Sequence, residues 1–217
     1  MNIRSPNLRV TSISSDALLL RLATLDDIPS LVQLIETSAR GLGQDDYTAA
    51  QIQGALQGTF GVDTQLIRDQ TYWLIEGPEG LAAAGGWSFR TTLFGGDTGG
   101  DTGGDNDSDT GGDNHAERAI KPAALLDPAI DAARIRAFFV HPNAARQGLG
   151  RRLLQHCEAE AMARGFQNLT LFATLPGARL YETCGFTADA PVDYEVASGI
   201  LMAFLPMHKM IERPRTP

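Results

Sequence analysis

Residues 137–154 read AFFVHPNAARQGLGRRLL, which passes from an apolar strand through a loop into a helix. The pattern predicts a strand at 134–140, a loop at 141–147 and a helix at 148–164. The helix carries an apolar stripe of Leu149, Leu153, Cys157 and Ala161. We expect the chemistry of this protein at the junction of these three elements.

The loop is rich in glycine where it meets the helix. Such a turn presents unpaired backbone N–H groups and the positive end of the helix dipole, which together bind phosphate oxygens. Gly148 and Gly150 let the backbone come close to such a ligand. An ordinary tight turn at a helix entry would carry the same glycines. The pattern is neither a P-loop nor a dinucleotide fingerprint, because GxxxxGK[ST] and GxGxxG are both absent.

Strand and helix patterns alternate over the rest of the chain. The first helix places its apolar residues at helical spacing behind two aspartates, and these residues are Ile28, Leu31, Val32, Ile35 and Ala39. The predicted strands lie at 18–22, 71–75, 81–89, 134–140, 168–174, 192–196 and 200–207, and the other helices at 47–56 and 177–183. This order implies an α/β (α+β) fold with a mixed central sheet of about seven strands flanked by helices.

The composition suits one compact domain. The chain has 217 residues, of which 43% are hydrophobic and 20% charged, enough for a single core. We expect that domain at 17–210, between an N-terminal tail at 1–16 and a C-terminal tail at 211–217. The 26 acidic and 18 basic residues give a formal charge of −8. This balance disfavours nucleic acid and anionic membranes as partners.

Much of that charge lies in one segment, GGDTGGDTGGDNDSDTGGDN at 95–114. It holds six Asp and no Lys or Arg, which leaves a nearly neutral remainder of 20 acids and 18 bases. Because no apolar residue anchors the repeat, we expect a disordered, solvated insert. Its carboxylates also suggest calcium, but the spacing fits neither an EF-hand nor a nonapeptide repeat. We therefore expect no metal site.

Targeting and redox signals favour the cytoplasm. No apolar run reaches the roughly 18 residues that span a bilayer, and the N-terminal residues lack a signal-peptide pattern. Two cysteines without a CxxC motif fit a reducing compartment. Cys157 lies on the apolar stripe and Cys184 lacks a nearby histidine, so neither is expected to be catalytic.

Three motifs in order give the chain a resemblance to a known family. LRLATLDDIPSL, AFFVHPNAARQGLGRRLL and LYETCGF resemble the first strand and helix, the acetyl-CoA motif and the second cofactor motif of the GCN5-related N-acetyltransferase (GNAT) superfamily. The resemblance implies the GNAT-type acyl-CoA N-acyltransferase fold and acetyl-CoA as acyl donor. It also implies a small-molecule or peptide amine as acceptor, and it is compatible with a homodimer.

The resemblance assigns a cofactor-binding role to the loop and the strand before it. In the family, a Gln/Arg-x-x-Gly-x-Gly/Ala pattern wraps the pyrophosphate; here Ala145 takes the first position and the two glycines match. The implied loop residues are Ala145, Arg146, Gln147, Gly148, Leu149, Gly150 and Arg151. The implied strand residues are Phe138, Phe139 and Val140, whose backbone would pair with the pantetheine arm and point an N–H at the thioester oxygen. Arg146 or Arg151 would add charge pairing, or serve only as solvated surface.

The resemblance also implies a proton donor. Tyr181 occupies the position of the tyrosine that often lies beside the cofactor sulfur in this family, where its phenol would protonate the leaving thiolate. Alternatively, its ring only packs on the sheet. The resemblance also implies a cofactor-binding role for Thr174, which stands where the family has an Asn that contacts the pantetheine, seven residues before the tyrosine.

No general base is evident from the sequence. The candidates are His141, Glu76, Asp193 and Glu195, acting directly or through water. Arg134 and Arg136 share a strand face, so either one could meet a substrate carboxylate, or both are ordinary surface residues.

The implied function is acetyl transfer from acetyl-CoA to an amine, directly and in a ternary complex without an acyl-enzyme. A non-catalytic module of the same fold, which binds acyl-CoA as a sensor or a partner, is the alternative. The missing base and Thr174 are compatible with that alternative.

Overall fold

The computed structural model describes residues 18–92 and 124–211. Its eight strands are β1 (Leu19–Leu22), β2 (Tyr72–Gly77), β3 (Gly80–Ser88), β4 (Ala132–Val140), β5 (Asn168–Thr174), β6 (Thr187–Ala188), β7 (Val192–Ala197) and β8 (Ile200–Met210). Its helices are α1 (Ile28–Gly43), α2 (Ala49–Gln57), α3 (Thr64–Arg68), α4 (Leu149–Ala163) and α5 (Leu175–Glu182). Short 3-10 turns at Leu25–Asp27 and Pro142–Ala144 precede α1 and α4.

All eight strands join one mixed sheet, which confirms the predicted fold class. The order is β1-β2-β3-β4-β5-β8-β6, and β7 also pairs with β8. Among the described strands only β4 and β5 pair in parallel, because α4 carries the chain back across the sheet between them. The strand absent from the prediction is β6, whose two residues are too few to show a pattern.

Helices cover both faces of the sheet. The α1 face is packed by α1 and α3, which bury Leu31, Leu34 and Leu66 against β2 and β3. The α4 face is packed by α4 and α5, which bury Cys157 and Tyr181 against β4 and β5. The Glu160 carboxylate of α4 accepts hydrogen bonds from the indoles of Trp73 on β2 and Trp87 on β3, at 2.7 and 3.0 Å.

The predicted stripe of α1 is wrong at one position. Val32 is 52% exposed, whereas Leu34 is 3% exposed and Ser38 is 6% exposed. The buried arc runs through Leu31, Leu34, Ile35 and Ser38. Val32 lies about 100° around the helix from Leu31, outside that arc.

Two backbone hydrogen bonds join the chain on either side of the long undescribed segment. Thr91 donates to Ala124 at 3.0 Å, and Leu126 donates to Phe89 at 2.9 Å. The predicted insert at 95–114 and the predicted tail at 1–16 lie outside the described residues, as does nearly all of the tail at 211–217. Within the described ranges, no helix is both long and apolar enough to cross a membrane.

Candidate functional site

The sheet opens between β4 and β5. The two parallel strands pair only from Ala132 with Asn168 to Arg134 with Thr170. Beyond these residues β4 stays paired with β3 and β5 with β8, so a cleft widens toward the carboxyl ends of both strands. A cavity of about 80 Å³ lies in this cleft. Aromatic rings contribute much of its lining, namely Phe60, Phe138, Phe139, Phe172, Tyr181 and Phe204.

A bulge in β4 marks the beginning of the cleft. The pairing register of β3 and β4 shifts between Ala84 and Gly86, so Ala137 and Phe138 together oppose Gly85. Ala137 has a φ of +58°, a left-handed conformation that costs a non-glycine residue about 1–3 kcal/mol. The bulge shifts the alternation of β4 by one residue. Ala137 consequently packs on the α1 face and Phe138 on the α4 face.

The N-terminus of α4 lies beyond the carboxyl end of β4, with Gly148 as its N-cap. Gly148 has a φ of +81°, while a Cβ built there would meet no atom within 4 Å. Backbone conformation, rather than lack of space, therefore requires glycine at this position. No side chain caps the helix, so the N–H groups of residues 149–151 have no acceptor within the helix. Three backbone donors and the positive end of the helix dipole meet here.

Most side chains around this N-terminus pack against or hydrogen-bond to other parts of the protein. Leu149 is buried, and a Cβ at Gly150 would lie 2.8 Å from Leu180 Cδ2, so this glycine lets α4 approach α5. Arg151 donates to the Thr183 hydroxyl at 3.1 Å, and Gln147 donates to the Asn143 carbonyl at 3.0 Å. The backbone of this segment is therefore more available to a ligand than its side chains.

Tyr181 presents its ring and hydroxyl from α5 to the cleft. It is 7% exposed, and its ring meets Phe138 and Phe186 edge to face, with centroids 6.2 and 5.8 Å apart. Burial raises the pKa of the phenol above its usual range, with smaller contributions from Cys157 and Cys184. No described residue forms a hydrogen bond with the hydroxyl. The group therefore keeps its proton at neutral pH.

The cleft and the strands around it match a known family. Residues 114–188 match the model of the acetyltransferase (GNAT) domain. The matched segment contains β4, α4, β5 and α5, and thus both walls of the cleft. This part of the chain is similar to the acetyltransferases of the GNAT family.

Solved GNAT structures share the fold over nearly the whole chain. A GCN5-related N-acetyltransferase from Rhodopseudomonas palustris has a TM-score of 0.62 and 17% identity, covering 92% of this chain and 98% of its own. The paia N-acetyltransferase from Thermoplasma acidophilum, in complex with coenzyme A, has a TM-score of 0.57 and 11% identity, covering 89% and 98%. The protein yncA from Salmonella typhimurium, with its cofactor acetyl-CoA, has a TM-score of 0.52 and 17% identity, covering 93% and 98%. A search of curated proteins found no match.

Four of the predicted site residues lie at the cleft. Phe138, Phe139, Thr174 and Tyr181 line the cavity. The loop residues Ala145 and Arg146 precede the α4 N-cap, and Arg146 is exposed with a φ of +63°. The roles implied for these residues remain predictions.

Two hydroxyl groups that the sequence analysis missed hold backbone groups of the cleft. Ser38 of α1 accepts a hydrogen bond from the Val140 N–H at 3.2 Å. Tyr47 accepts one from the Leu175 N–H at 2.8 Å and donates to the Ala203 carbonyl at 2.7 Å. Tyr47 thus ties the first residue of α5 to β8. The roles of Ser38 and Tyr47 could not be predicted from the sequence, because their hydrogen-bond partners are distant in the chain.

The four candidate bases lie outside the cavity lining. Glu76 pairs with Arg21 at 2.8 Å, and Glu195 accepts from the Gly199 N–H at 2.7 Å. Asp193 is exposed on β7, and His141 accepts from the Asn143 N–H at 3.2 Å. Among the described residues, the cavity lining contains no carboxylate and no imidazole.

Arg136 is buried rather than an ordinary surface residue. It is 9% exposed, forms an ion pair with Asp63 at 2.9 Å and donates to the Thr92 carbonyl at 2.9 Å. Burial lowers the pKa of this arginine, while Asp63 raises it. Asp63 is also the N-cap of α3. The sequence analysis missed this pair because its members are 73 residues apart.

The described residues include no group of three or more His, Cys, Asp or Glu side chains that could hold a metal ion. Cys157 is buried and Cys184 is partly buried, both as free thiols. Burial raises the pKa of Cys157, so this thiol is a poor nucleophile.

Proposed function

We propose that this protein transfers the acetyl group of acetyl-CoA to an amine by direct attack in a ternary complex. The observation that carries the proposal is the cleft between β4 and β5. Phe138 and Tyr181 line its cavity, and the uncapped N-terminus of α4 packs against α5, where Gly150 lies next to Leu180. The GNAT fold, shared with structures that hold coenzyme A or acetyl-CoA, supports the donor.

In this proposal the donor binds mainly through backbone groups. The N–H groups at the start of α4 hold the pyrophosphate, because they lack helical acceptors and carry the positive end of the dipole. The open space at Gly148 suits that approach. Residues 145–151 form this part of the site, with charge pairing from Arg146. The pantetheine arm lies along Phe138–Val140 and Thr174, and it competes with Ser38 for the Val140 N–H.

The proposed chemistry is a single acyl transfer. The amine nitrogen attacks the thioester carbon, a C–N bond forms, and the C–S bond breaks. The Phe138 N–H stabilises the negative charge on the thioester oxygen, an effect worth about 3 kcal/mol in other enzymes. Tyr181 gives its proton to the departing thiolate, and the proton that the amine loses passes through water to restore the phenol.

The proposed acceptor is a small-molecule or peptide amine. The cavity offers it a wall of aromatic rings and no described carboxylate to hold an ammonium group. The attacking nitrogen must therefore lose its proton to water or arrive neutral, which favours amines of low pKa.

A second candidate is a module that binds acyl-CoA without turnover. The absence of a carboxylate or imidazole among the described lining residues favours it. The two candidates predict the same affinity for acetyl-CoA. They differ in whether any amine releases the thiol.

Calorimetry with acetyl-CoA tests the donor site. In Gly148→Val, the left-handed φ disfavours the β-branched side chain and the loop shifts, so we expect affinity to fall by about tenfold or more. Gly199→Val is the matched control, because Gly199 has a φ of +72° with no atom within 4 Å of a built Cβ but lies in the β7–β8 turn. Unchanged affinity in a folded Gly148→Val protein would contradict the assignment.

A further inference from the structure

Tyr72 is a buried tyrosine of β2 whose hydroxyl reaches β4, two strands away. It is 0% exposed, and the hydroxyl donates to the Ala137 carbonyl at 3.4 Å. Burial raises the pKa of the phenol above its usual range, so the group remains a donor at neutral pH. The acceptor belongs to the bulged residue at the start of the cleft.

Two adjacent glycines of β3 make this reach possible. A Cβ at Gly86 would lie 3.2 Å from Tyr72 Cδ2 and 2.7 Å from the Thr71 carbonyl oxygen, so the missing side chain leaves room for the Tyr72 ring. A Cβ at Gly85 would lie within 2.8 Å of several Phe138 ring atoms. The pair therefore admits the Phe138 ring on the α4 face and the Tyr72 ring on the α1 face.

The hydrogen bond fixes the direction of one peptide group. The described peptide bonds are trans, so the C=O of Ala137 and the N–H of Phe138 point in opposite directions. The carbonyl turns toward Tyr72 on the α1 face. The Phe138 N–H consequently points away from Tyr72, and both Phe138 and Tyr181 line the cavity in the cleft.

This orientation needs support from the rest of the protein. Ala137 is left-handed, with a φ of +58°, and such a conformation persists only where the surroundings determine it. Arg136 is held by its ion pair with Asp63 at 2.9 Å. Tyr72 holds the next residue, Ala137, through the hydrogen bond from its hydroxyl to the Ala137 carbonyl.

We propose that Tyr72 is a positioning residue for acyl transfer, which holds the peptide between Ala137 and Phe138 so that the Phe138 N–H faces the thioester oxygen. The inference rests on the proposed function. Tyr72 touches neither substrate; it acts through the backbone donor that stabilises the developing negative charge.

Kinetic measurements on Tyr72→Phe and on a matched control distinguish an effect on the acyl-transfer step from a loss of folding stability. Thr71→Val is the control, because Thr71 is 1% exposed and its hydroxyl donates to the Leu66 carbonyl at 3.5 Å. Each variant loses one buried hydroxyl bond to a carbonyl. We expect similar losses of melting temperature and unchanged acetyl-CoA affinity in both, with kcat reduced about tenfold or more only in Tyr72→Phe. Equal kcat values in the two variants would overturn the proposal.

A spectroscopic readout requires no acceptor. The amide signal of Phe138 is compared in protein saturated with acetyl-CoA and with coenzyme A, which lacks the thioester carbonyl. We expect a downfield proton shift specific to acetyl-CoA in the wild type, and its loss in Tyr72→Phe. If acetyl-CoA binds and the Phe138 signal does not distinguish the two ligands, the Tyr72 proposal is overturned together with the role of the Phe138 N–H, whereas acetyl transfer to an amine is not. If acetyl-CoA does not bind the wild type, the proposed function is overturned with it.

Discussion

The ring and the hydroxyl of Tyr181 have different environments. The ring packs against Phe138 and Phe186, as a structural tyrosine would. Tyr181 lines the cavity, and its hydroxyl has no hydrogen-bond partner among the described residues. Tyr47 provides the contrast, since its buried hydroxyl bonds to Leu175 and Ala203. The unpaired group favours a role toward a ligand over a role in the fold.

Tyr181→Phe should therefore slow turnover without lowering stability. Loss of the proton donor is expected to reduce kcat by about 100-fold, with unchanged acetyl-CoA affinity. Its melting temperature should equal or exceed that of the wild type. Tyr47→Phe, which leaves an N–H and a carbonyl unpaired, should lose about 1–3 kcal/mol of unfolding free energy. Equal kcat values for Tyr181→Phe and wild type, with chemistry shown to limit the rate, would remove Tyr181 from the mechanism.

Individual site residues could be predicted only where a motif contains them. The resemblance of LYETCGF and of the glycine-rich loop to family motifs identified Tyr181 and residues 145–151 as candidates. It could not identify Tyr72 or Ser38, because each acts through one hydrogen bond to a distant part of β4. The burial of Arg136 could not be predicted either, because it depends on an ion pair with Asp63, which is distant in the sequence.

The junction of β1 and α1 is held by one arginine. Arg21 of β1 donates to both carboxylate oxygens of Asp27, at 2.9 and 2.8 Å, and to Glu76 of β2 at 2.8 Å. The hydrogen bonds from Arg21 are the largest cause that lowers the pKa of Asp27, from 3.8 to about 2. A carboxyl with a lowered folded-state pKa stabilises the fold above its unfolded value. That stabilisation is lost as the pH falls from about 4 to about 2.

Asp27→Asn should consequently destabilise the protein in a pH-dependent way. We expect a loss of about 1 kcal/mol near neutral pH, reduced for partial exposure, that disappears at about pH 2. Denaturant unfolding at several pH values measures it. Glu36→Gln, which breaks an exposed ion pair with Arg40, serves as control and should change stability little at any pH. A constant loss for Asp27→Asn across the range would show that the carboxylate charge has no part in it.

Elements could be predicted from the sequence in proportion to their length. The 15 residues of α4 show a clear apolar stripe, and β5 spans the predicted residues 168–174. The five residues of α3 are too few to establish a helical period. Asp63 is the N-cap of α3, but an aspartate before so short a helix does not distinguish it from a loop.

At the scale of the whole molecule, the connection between β3 and β4 begins and ends at residues that are hydrogen-bonded to each other. The hydrogen bonds between Thr91 and Ala124 and between Leu126 and Phe89 bring its two ends together. A shorter connection can therefore span the same ends. The chain-length dependence of loop closure is also weak, about 0.6 kcal/mol per doubling.

Replacement of residues 95–114 by a short Gly-Ser linker should leave the fold and the acetyl-CoA affinity intact. Any effect should be limited to the affinity for a cationic acceptor, which the six aspartates attract in a salt-dependent way. Thermal melts and calorimetry check this expectation. A melt that loses its cooperativity, or a calcium-dependent stabilisation that vanishes with the segment, would contradict it.

The topology of the sheet explains why the site lies where it does. The parallel strands β4 and β5 pair over three residues and then separate. The bulge and the N-terminus of α4 both lie toward the carboxyl end of β4, where the strands have separated. The order of elements in the sequence predicted a mixed sheet, and the resemblance to the superfamily implied that the backbone of Phe138, Phe139 and Val140 would pair with a ligand. The ring-lined cavity follows from packing between the loop after α2, β4, β5, α5 and β8, which no local pattern encodes.

The most direct test of the central claim is thiol release from acetyl-CoA by the full chain, measured against a panel of amines. The panel should include alkylamines, aromatic amines and peptides with free α-amino groups. We predict saturable thiol release with at least one amine, matched mole for mole by the acetylated amine in a mass spectrum. Tight calorimetric binding of acetyl-CoA without thiol release from any amine would contradict the claim and identify the cleft as a binding site alone.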